Sequence, residues 1–295
     1  MTLDIMMPFY GRPDQFRIAV ESVLAQSNDS WRLTIIDDVY PDREPALWAE
    51  GLRDERVIVV RNEKNLGVGG NFRRAVDLMT EKYGVIMGCD DLMRPGFVDR
   101  VVRLTTQFPE AAVIQPGVAV IDDEGNSTRP LADWVKDHYR PRGKGARSLS
   151  GQYLAASISA GNWAYFPSLV WSTGVLKELG FRPGLEVALD LDLLLRIVAS
   201  GGSFVIDDEI VFDYRRHSGS VSAFTAVDGT RFREEREVLQ AAADTFARLG
   251  WATAAQKARN HTSSRLNALS VLPRAMRSAS SAERRSLVSH IFGRA

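Results

Sequence analysis

The sequence predicts an α/β fold: a mostly parallel central sheet with helices on both faces, plus a C-terminal helical extension. Three observations carry this. Apolar runs of strand length alternate with helical periodicities through residue 91, the pattern of strands joined by crossover helices. Polar clusters fall at the ends of three of these strands, where ligands bind in such sheets. Beyond Ser222 the composition turns Ala- and Arg-rich with helical spacing.

Residues 3–7 form the first expected strand, ended by Pro8. Residues 14–25 put Phe16, Ala19, Val20, Val23 and Leu24 on one helical face. Residues 33–36 are a second strand, cut off by Asp37 and Asp38. Residues 47–52 are weakly helical, and 57–60 are a third strand. A helix follows at 72–79, with Gly67, Gly69 and Gly70 in the loop before it. A fourth strand at 85–87 runs into Gly88, Cys89, Asp90 and Asp91. Residues 113–121 read as a strand and 122–126 as a turn. The polar, basic stretch 129–150 reads as a surface loop or flap. Residues 164–171 are strand-like. Residues 190–199 are a helix that buries Leu191, Leu194, Leu195 and Val198. Residues 203–206 and 210–214 are two short final strands, and the tail is a set of helices broken near Gly250 and Pro273.

Composition narrows the class. Over 295 residues the hydrophobic share is 45%, ordinary for a globular protein, and the formal net charge is zero. Nothing global therefore points to nucleic acid. Cys89 is the one cysteine, which excludes an intrachain disulfide framework and suits a reducing compartment. The N-terminus lacks a basic start followed by a long apolar run, and no stretch approaches the roughly 20 apolar residues of a membrane span. A cytoplasmic protein, at most peripheral at the inner face of the membrane, is the expectation.

The motifs occur in a recognisable order. Pro8, Phe9, Tyr10, Gly11 and Arg12 close the first strand, and Ile36-Asp-Asp38 closes the second. Arg61 to Gly67 leads to Asn71, Phe72 and Arg73. Gly88-Cys-Asp-Asp-Leu92 closes the fourth strand, Leu189 to Arg196 opens a late helix, and Tyr214-Arg-Arg-His217 follows. From about residue 3 to 222 this order and spacing resembles family 2 of the glycosyltransferases, whose fold is called GT-A. The resemblance implies a catalytic domain over 1–222, with a nucleotide-sugar-binding half at 1–121 and an acceptor-binding half at 122–222. It implies an inverting enzyme that moves a sugar from a UDP- or dTDP-sugar to a hydroxyl of a glycan, glycolipid or natural product. Residues 223–295 lie outside it.

Two departures stand out. Gly88 occupies the place where the family often has the first Asp of its metal motif, and Leu189 stands where a Glu usually precedes the base. By resemblance, Asp90 and Asp91 hold Mn²⁺ or Mg²⁺, with His217 completing the shell. The chemistry agrees: adjacent carboxylates repel, a hard divalent cation resolves the repulsion, and it neutralises charge on a leaving diphosphate. Alone, the pair also fits a strand-end turn. Asp38 is expected to accept a pyrimidine N3–H and Tyr10 to stack on the base, although Asp37 and Asp38 also suit a helix cap. Pro8, Phe9, Arg12, Gly67, Asn71, Arg73, Asp90 and Arg216 complete the expected nucleotide-sugar contacts, with Arg215 a second candidate clamp for the diphosphate.

Asp190 is the expected general base, in competition with a capping role at its helix start. Asp192 is a lesser candidate, pointing elsewhere on the helix. Trp163 is the expected acceptor contact. A nucleotide-sugar-binding protein without catalysis is the alternative. A dinucleotide-binding oxidoreductase is disfavoured, since no Gly-x-Gly-x-x-Gly follows the first strand. In the tail Lys and Arg outnumber Asp and Glu. Its helices either pack on the catalytic domain or a second copy in a homodimer, or meet an anionic membrane. Leu239, Phe246, Leu249 and Trp251 favour packing.

Overall fold

The computed structural model describes residues 1–216, 230–278 and 281–292. The 222/223 boundary and His217 lie outside these.

The N-terminal part follows the expected alternation: β1 (Leu3–Phe9), α1 (Pro13–Leu24), β2 (Trp31–Asp37), α2 (Glu44–Glu50), β3 (Val57–Arg61), α3 (Gly67–Leu78) and β4 (Tyr83–Ile86). Strands β1 to β4 pair in parallel, with β1 between β2 and β4. Then come β5 (Leu92–Met93), α4 (Phe97–Gln107), β6 (Ala111–Ile121), α5 (Leu131–Tyr139), β7 (Arg147–Leu149), α6 (Gly151–Ala160), β8 (Val170–Ser172), α7 (Thr173–Leu179), α8 (Leu189–Ala199) and β9 (Ser203–Arg215). The sheet order is β3-β2-β1-β4-β8-β6-β9-β5, with β7 on β9. β8 runs antiparallel to both its neighbours, and β6 and β9 are parallel.

The strands explain the layering. Leu3, Ile5, Met7 and Phe9 of β1 join a core with Phe16, Val20 and Val23 of α1, while Met6 joins the opposite core. Val85 and Ile86, Val113 and Ile114, and Val205 and Ile206 divide in the same way. This period of two is the signature of a sheet buried on both faces.

Several expectations are corrected. α3 begins at Gly67, so the three glycines lie inside the helix rather than before it. The stretch read as a flap contains α5 and β7, whose strand pairs with β9. The run 164–171 is a short 3₁₀ turn, Phe166–Ser168, followed by β8. The two final strands are one, β9.

The tail forms α9 (Thr230–Arg248), α10 (Ala252–Asn260), α11 (Thr262–Ser278) and α12 (Ser281–Phe292). Gly250, with φ of 74°, breaks the chain as expected, but α11 runs through Pro273. Val238, Leu239, Ala243 and Phe246 of α9 and Ala254, Ala255 and Ala258 of α10 share one core with α6 and α8. Trp251 stacks on Phe246 at 5.7 Å, whereas Leu249 is exposed. No helix among the described residues is long and apolar enough to cross a membrane.

Candidate active site

One side of the candidate site is a row of strand ends. Tyr10 is exposed, 5.6 Å edge-on from Tyr40. Pro8 is half-buried beside it. Arg12 is exposed and ion-pairs with Asp14 and Asp123. Phe9 is fully buried, its ring 4.2 Å from Phe16, so its side chain belongs to the core and not to a ligand. β1 delivers alternate residues to opposite sides, and Phe9 falls on the inner one.

The end of β2 is held internally. Asp37 is buried, ion-paired to Arg61, and accepts the Tyr40 N–H at 2.8 Å. Val39 takes a left-handed φ of 61°, an unusual strain for a β-branched residue, at the strand-end turn. Asp38 Oδ1 accepts from Asn62 at 2.7 Å and from the Leu66 N–H at 2.8 Å. Asn71 accepts from Asn62 at 3.1 Å and donates to the Ile36 carbonyl at 3.2 Å. Asn71 thus spends both ends of its buried amide locking the 61–67 loop to β2, as a buried amide must. This replaces the expected sugar contact. Arg73 is half-buried in α3 beside Gly69. A Cβ on Gly69 would stand 3.1 Å from the Leu185 carbonyl, so this glycine lets the chain before α8 approach.

The carboxylate pair lies just beyond β4. Asp91 is 1% exposed, and Asp90 is half-buried. A Cβ on Gly88 would collide with Asp91 Oδ2 and stand 2.8 Å from Asp90 Oδ1. Both carboxylates therefore fold over a backbone that carries no side chain, forming the cradle a divalent cation needs. Among the described residues no third ligand joins them. Burial and then Asp90 push Asp91 well above the usual carboxylate range, opposed by the Arg215 N–H that it accepts at 2.8 Å. The residues fit a cation whose remaining ligands come from substrate phosphate and water. The neighbouring Cys89 thiol is pushed up to about 12 by burial, so it is inert.

Arg215 is a staple. Its guanidinium donates to the carbonyls of Asp90 at 2.8 Å, Asp122 at 2.8 Å and Asp123 at 2.9 Å. That removes it as a diphosphate clamp. Arg216 ion-pairs with Asp133 of α5 at 2.5 Å and lies over the Tyr214 ring. Burial and then Asp91 push Tyr214 up to about 12, and Arg216 opposes the shift. Tyr214, its ring 5.3 Å from that of Tyr165, therefore joins the carboxylate pair to the side formed by α5 and α8.

On that side Asp190 sits half-buried in the first turn of α8. It accepts from the Leu191 N–H at 2.7 Å and from Asn162 at 3.2 Å. Burial raises its pKa, while the Leu191 N–H, Lys136, Asn162 and Arg231 oppose the shift. A raised carboxylate is a better proton acceptor. Asp192 is not beside it. It is 5% exposed and ion-paired to Arg196 at 2.7 Å and Arg182 at 3.4 Å, so it fixes helix packing and offers no free base. Trp163 is also corrected: it is 1% exposed, and its indole N–H donates to Ser157 at 2.9 Å. Its large ring found a core place, and its neighbour Asn162 reaches the site instead.

Four contributors escaped the sequence reading: Asp133 and Lys136 of α5, and Arg231 and Glu234 of α9. The Glu234 carboxylate is buried and accepts from Glu186 at 3.1 Å, Val187 at 2.8 Å and Ala188 at 3.0 Å. Three successive N–H groups form an anion nest, and the tail fills it at the entrance to α8. No local signal singled out Glu234, one of three Glu in α9.

Comparison with known proteins bears on the family and the fold. A sequence model of glycosyl transferase family 2 matches residues 4–174. The chain is 22% identical over 216 residues to an uncharacterized glycosyltransferase, MJ1057, of Methanocaldococcus jannaschii, covering 72% of this chain and 70% of that one. It is 24% identical over 221 residues to the succinoglycan biosynthesis protein ExoO of Rhizobium meliloti, covering 74% of this chain and 62% of the relative. The structure of TarS 1-349 from S. aureus in complex with UDP-GlcNAc superposes with a TM-score of 0.73 at 14% identity, covering 98% of this chain and 79% of that one. The fold is therefore the GT-A fold of the glycosyltransferases. With more than half its length matched, the chain belongs to glycosyltransferase family 2.

Proposed function

We propose that this glycosyltransferase moves a sugar with inversion from a UDP- or dTDP-sugar to an acceptor hydroxyl, using Asp190 as the single general base. The observation that carries the reading is the pairing of two carboxylate environments. Asp90 and Asp91 converge over Gly88 at a strand end, and a lone raised carboxylate, Asp190, opens α8 across the Tyr214–Arg216 link. A paired site and a solitary one suit different roles: the adjacent pair a cation, the single carboxylate a proton.

Asp90 and Asp91 would hold Mn²⁺ or Mg²⁺, which supplies neutralising charge for the leaving diphosphate when bound. Tyr10 offers an exposed ring to the base. The Asp38 loop shapes the pyrimidine pocket, and Arg73 and Arg12 supply positive charge near it. Asp190 takes the proton from the acceptor hydroxyl as that oxygen attacks. No second carboxylate stands beside it to act as a nucleophile among the described residues, which favours one inverting displacement. The relative named for succinoglycan biosynthesis supports a growing polysaccharide or lipid-linked glycan as acceptor.

The test is nucleotide-diphosphate affinity by calorimetry with and without Mn²⁺, in wild type and Asp91→Asn, with product anomer read by NMR. Metal should tighten UDP binding in wild type only, and the product should be inverted. Equal affinity in all four measurements, or a retained anomer, would overturn the reading.

A further inference from the structure

The acceptor side holds a lysine that donor chemistry does not use. Lys136 sits half-buried on α5. Its Nζ donates to the Ala164 carbonyl at 2.5 Å and lies 4.1 Å above the Tyr165 ring. The Ala164 N–H donates to Asn162 Oδ1 at 3.3 Å, and Asn162 Nδ2 donates to Asp190 Oδ2 at 3.2 Å. Three links therefore run from the lysine to the carboxylate.

The charges around this chain are otherwise matched. Asp133 takes Arg216 and the Tyr165 hydroxyl, the latter at 2.9 Å. Glu235 takes Arg231 at 2.8 Å and Ser264. Among the described residues Lys136 and Asp190 have no ion-pair partner at contact distance, yet each lies in the other's field. The ammonium and the carboxylate are thus joined through Ala164 and Asn162 and not by a direct ion pair.

We propose that Lys136 is a positioning residue for Asp190: through Ala164 and Asn162 it aims the base, and its ammonium supplies the positive charge that the carboxylate faces. This rests on Asp190 being the base. The groups facing Lys136 are Arg216, Asp133, Asp190 and Arg231, together with the Tyr165 ring. Burial and then Arg216 push its pKa down to about 8, so the ammonium is lost in the mildly alkaline range. Above that, Asp190 loses the nearby positive charge.

The experiment is the pH profile of kcat/KM for transfer in wild type, Lys136→Met, Lys136→Arg and Asp190→Asn. Wild type should show an alkaline limb near pH 8. Lys136→Arg should keep transfer within a few-fold and lose that limb, because guanidinium stays charged. Lys136→Met should lower kcat about tenfold at constant donor KM. Its acid limb should rise by about one pH unit, the usual effect of removing an opposite charge. A Lys136→Arg variant that keeps the limb near pH 8 overturns the proposal even if the Met variant fails to fold. So does a folded Lys136→Met with wild-type kcat and limbs. Asp190→Asn that stays active overturns the base itself. Asp190→Asn that is dead while Lys136 variants behave as wild type overturns this proposal alone.

Discussion

At the sheet edge the candidate site is a set of chain ends; around the start of α8 it is a set of meetings. Pro8 to Arg12, Asp37-Asp38 and Asp90-Asp91 arrive where they do because parallel strands stop at one edge of the sheet. Each is then fixed by partners from elsewhere: Asn62 and the Leu66 N–H hold Asp38, and Arg215 holds Asp91. Asp190 by contrast is held by Asn162, backed by Lys136 from α5, and its helix is entered through a nest filled by Glu234 from α9. Topology brings the first set to one sheet edge before any partner acts, while the second set is brought together only by side chains from separate helices. The two halves should therefore fail differently.

The largest expected effect comes from removing the tail. Deleting 223–295 strips Val238, Leu239 and Phe246 from the core shared with α8. It exposes their partners, and burying each such side chain is worth about 1.5–3 kcal/mol. The truncated chain should aggregate or unfold, read by soluble yield and circular dichroism. A soluble, cooperatively folded truncation would show the acceptor half to be as self-sufficient as the donor half.

Next comes the base. Asp190→Asn should cut transfer by about 10²–10⁴-fold while UDP binding is kept, since a positioned base contributes that much. Asp192→Asn should instead lower stability with little change in kcat, because Asp192 is tied to Arg196 and Arg182. The reverse outcome would exchange the roles of the two residues and break the contrast between site and scaffold on α8.

The difference between the halves also explains what could be read in advance. Strand and helix periods gave β1 to β4 because a two-faced sheet writes its pattern locally. The Asp90-Asp91 cluster was visible because like charges side by side need a reason. The fate of Asn71, Phe9 and Trp163 was not visible. Each depends on which face meets the core or on a partner many residues away, as when Trp163 bonds Ser157. α5 was lost in a stretch of polar residues because its burial is supplied by partners such as Arg216 and Tyr165, not by its own period. The role of the tail at α8 was equally hidden, since no local spacing predicts that Glu234 meets three N–H groups.

A smaller effect tests that meeting. Glu234→Ala leaves the N–H groups of Glu186, Val187 and Ala188 without their carboxylate. Unpaired buried donors cost about 1–3 kcal/mol, so thermal unfolding should move down clearly. kcat should fall with donor KM unchanged, because the segment that carries Asp190 loosens and the strand ends do not. Equal changes in donor and acceptor kinetics would mean that the nest serves the whole fold and not the acceptor half.

The smallest effect lies furthest from the strand ends, where α9, α11 and α12 meet. His261 and His290 are buried with their rings 5.1 Å apart, and His290 Nε2 is 2.9 Å from the Ser264 hydroxyl. Ser264 in turn donates to Glu235, the partner of Arg231 that faces Asp190. Burial and then His261 push His290 down to about 4, below the ordinary value of 6.5, and burial lowers His261 as well. A depressed histidine stays neutral when folded while the unfolded chain takes up the proton. Its contribution to stability is therefore intact above about pH 6.5 and is lost as pH falls through the window toward about 4. His290→Gln keeps a group able to bond Ser264 and removes the titration. It should flatten the acid slope of the unfolding midpoint, and hydrogen exchange should show α11 and α12 opening first in wild type as the pH is lowered. Because Glu235 links this cluster to Arg231, acid should weaken the acceptor side while the sheet edge stays ordered. If wild type and His290→Gln lose stability in parallel below pH 6.5, the histidine pair is not the acid-sensitive element of this half.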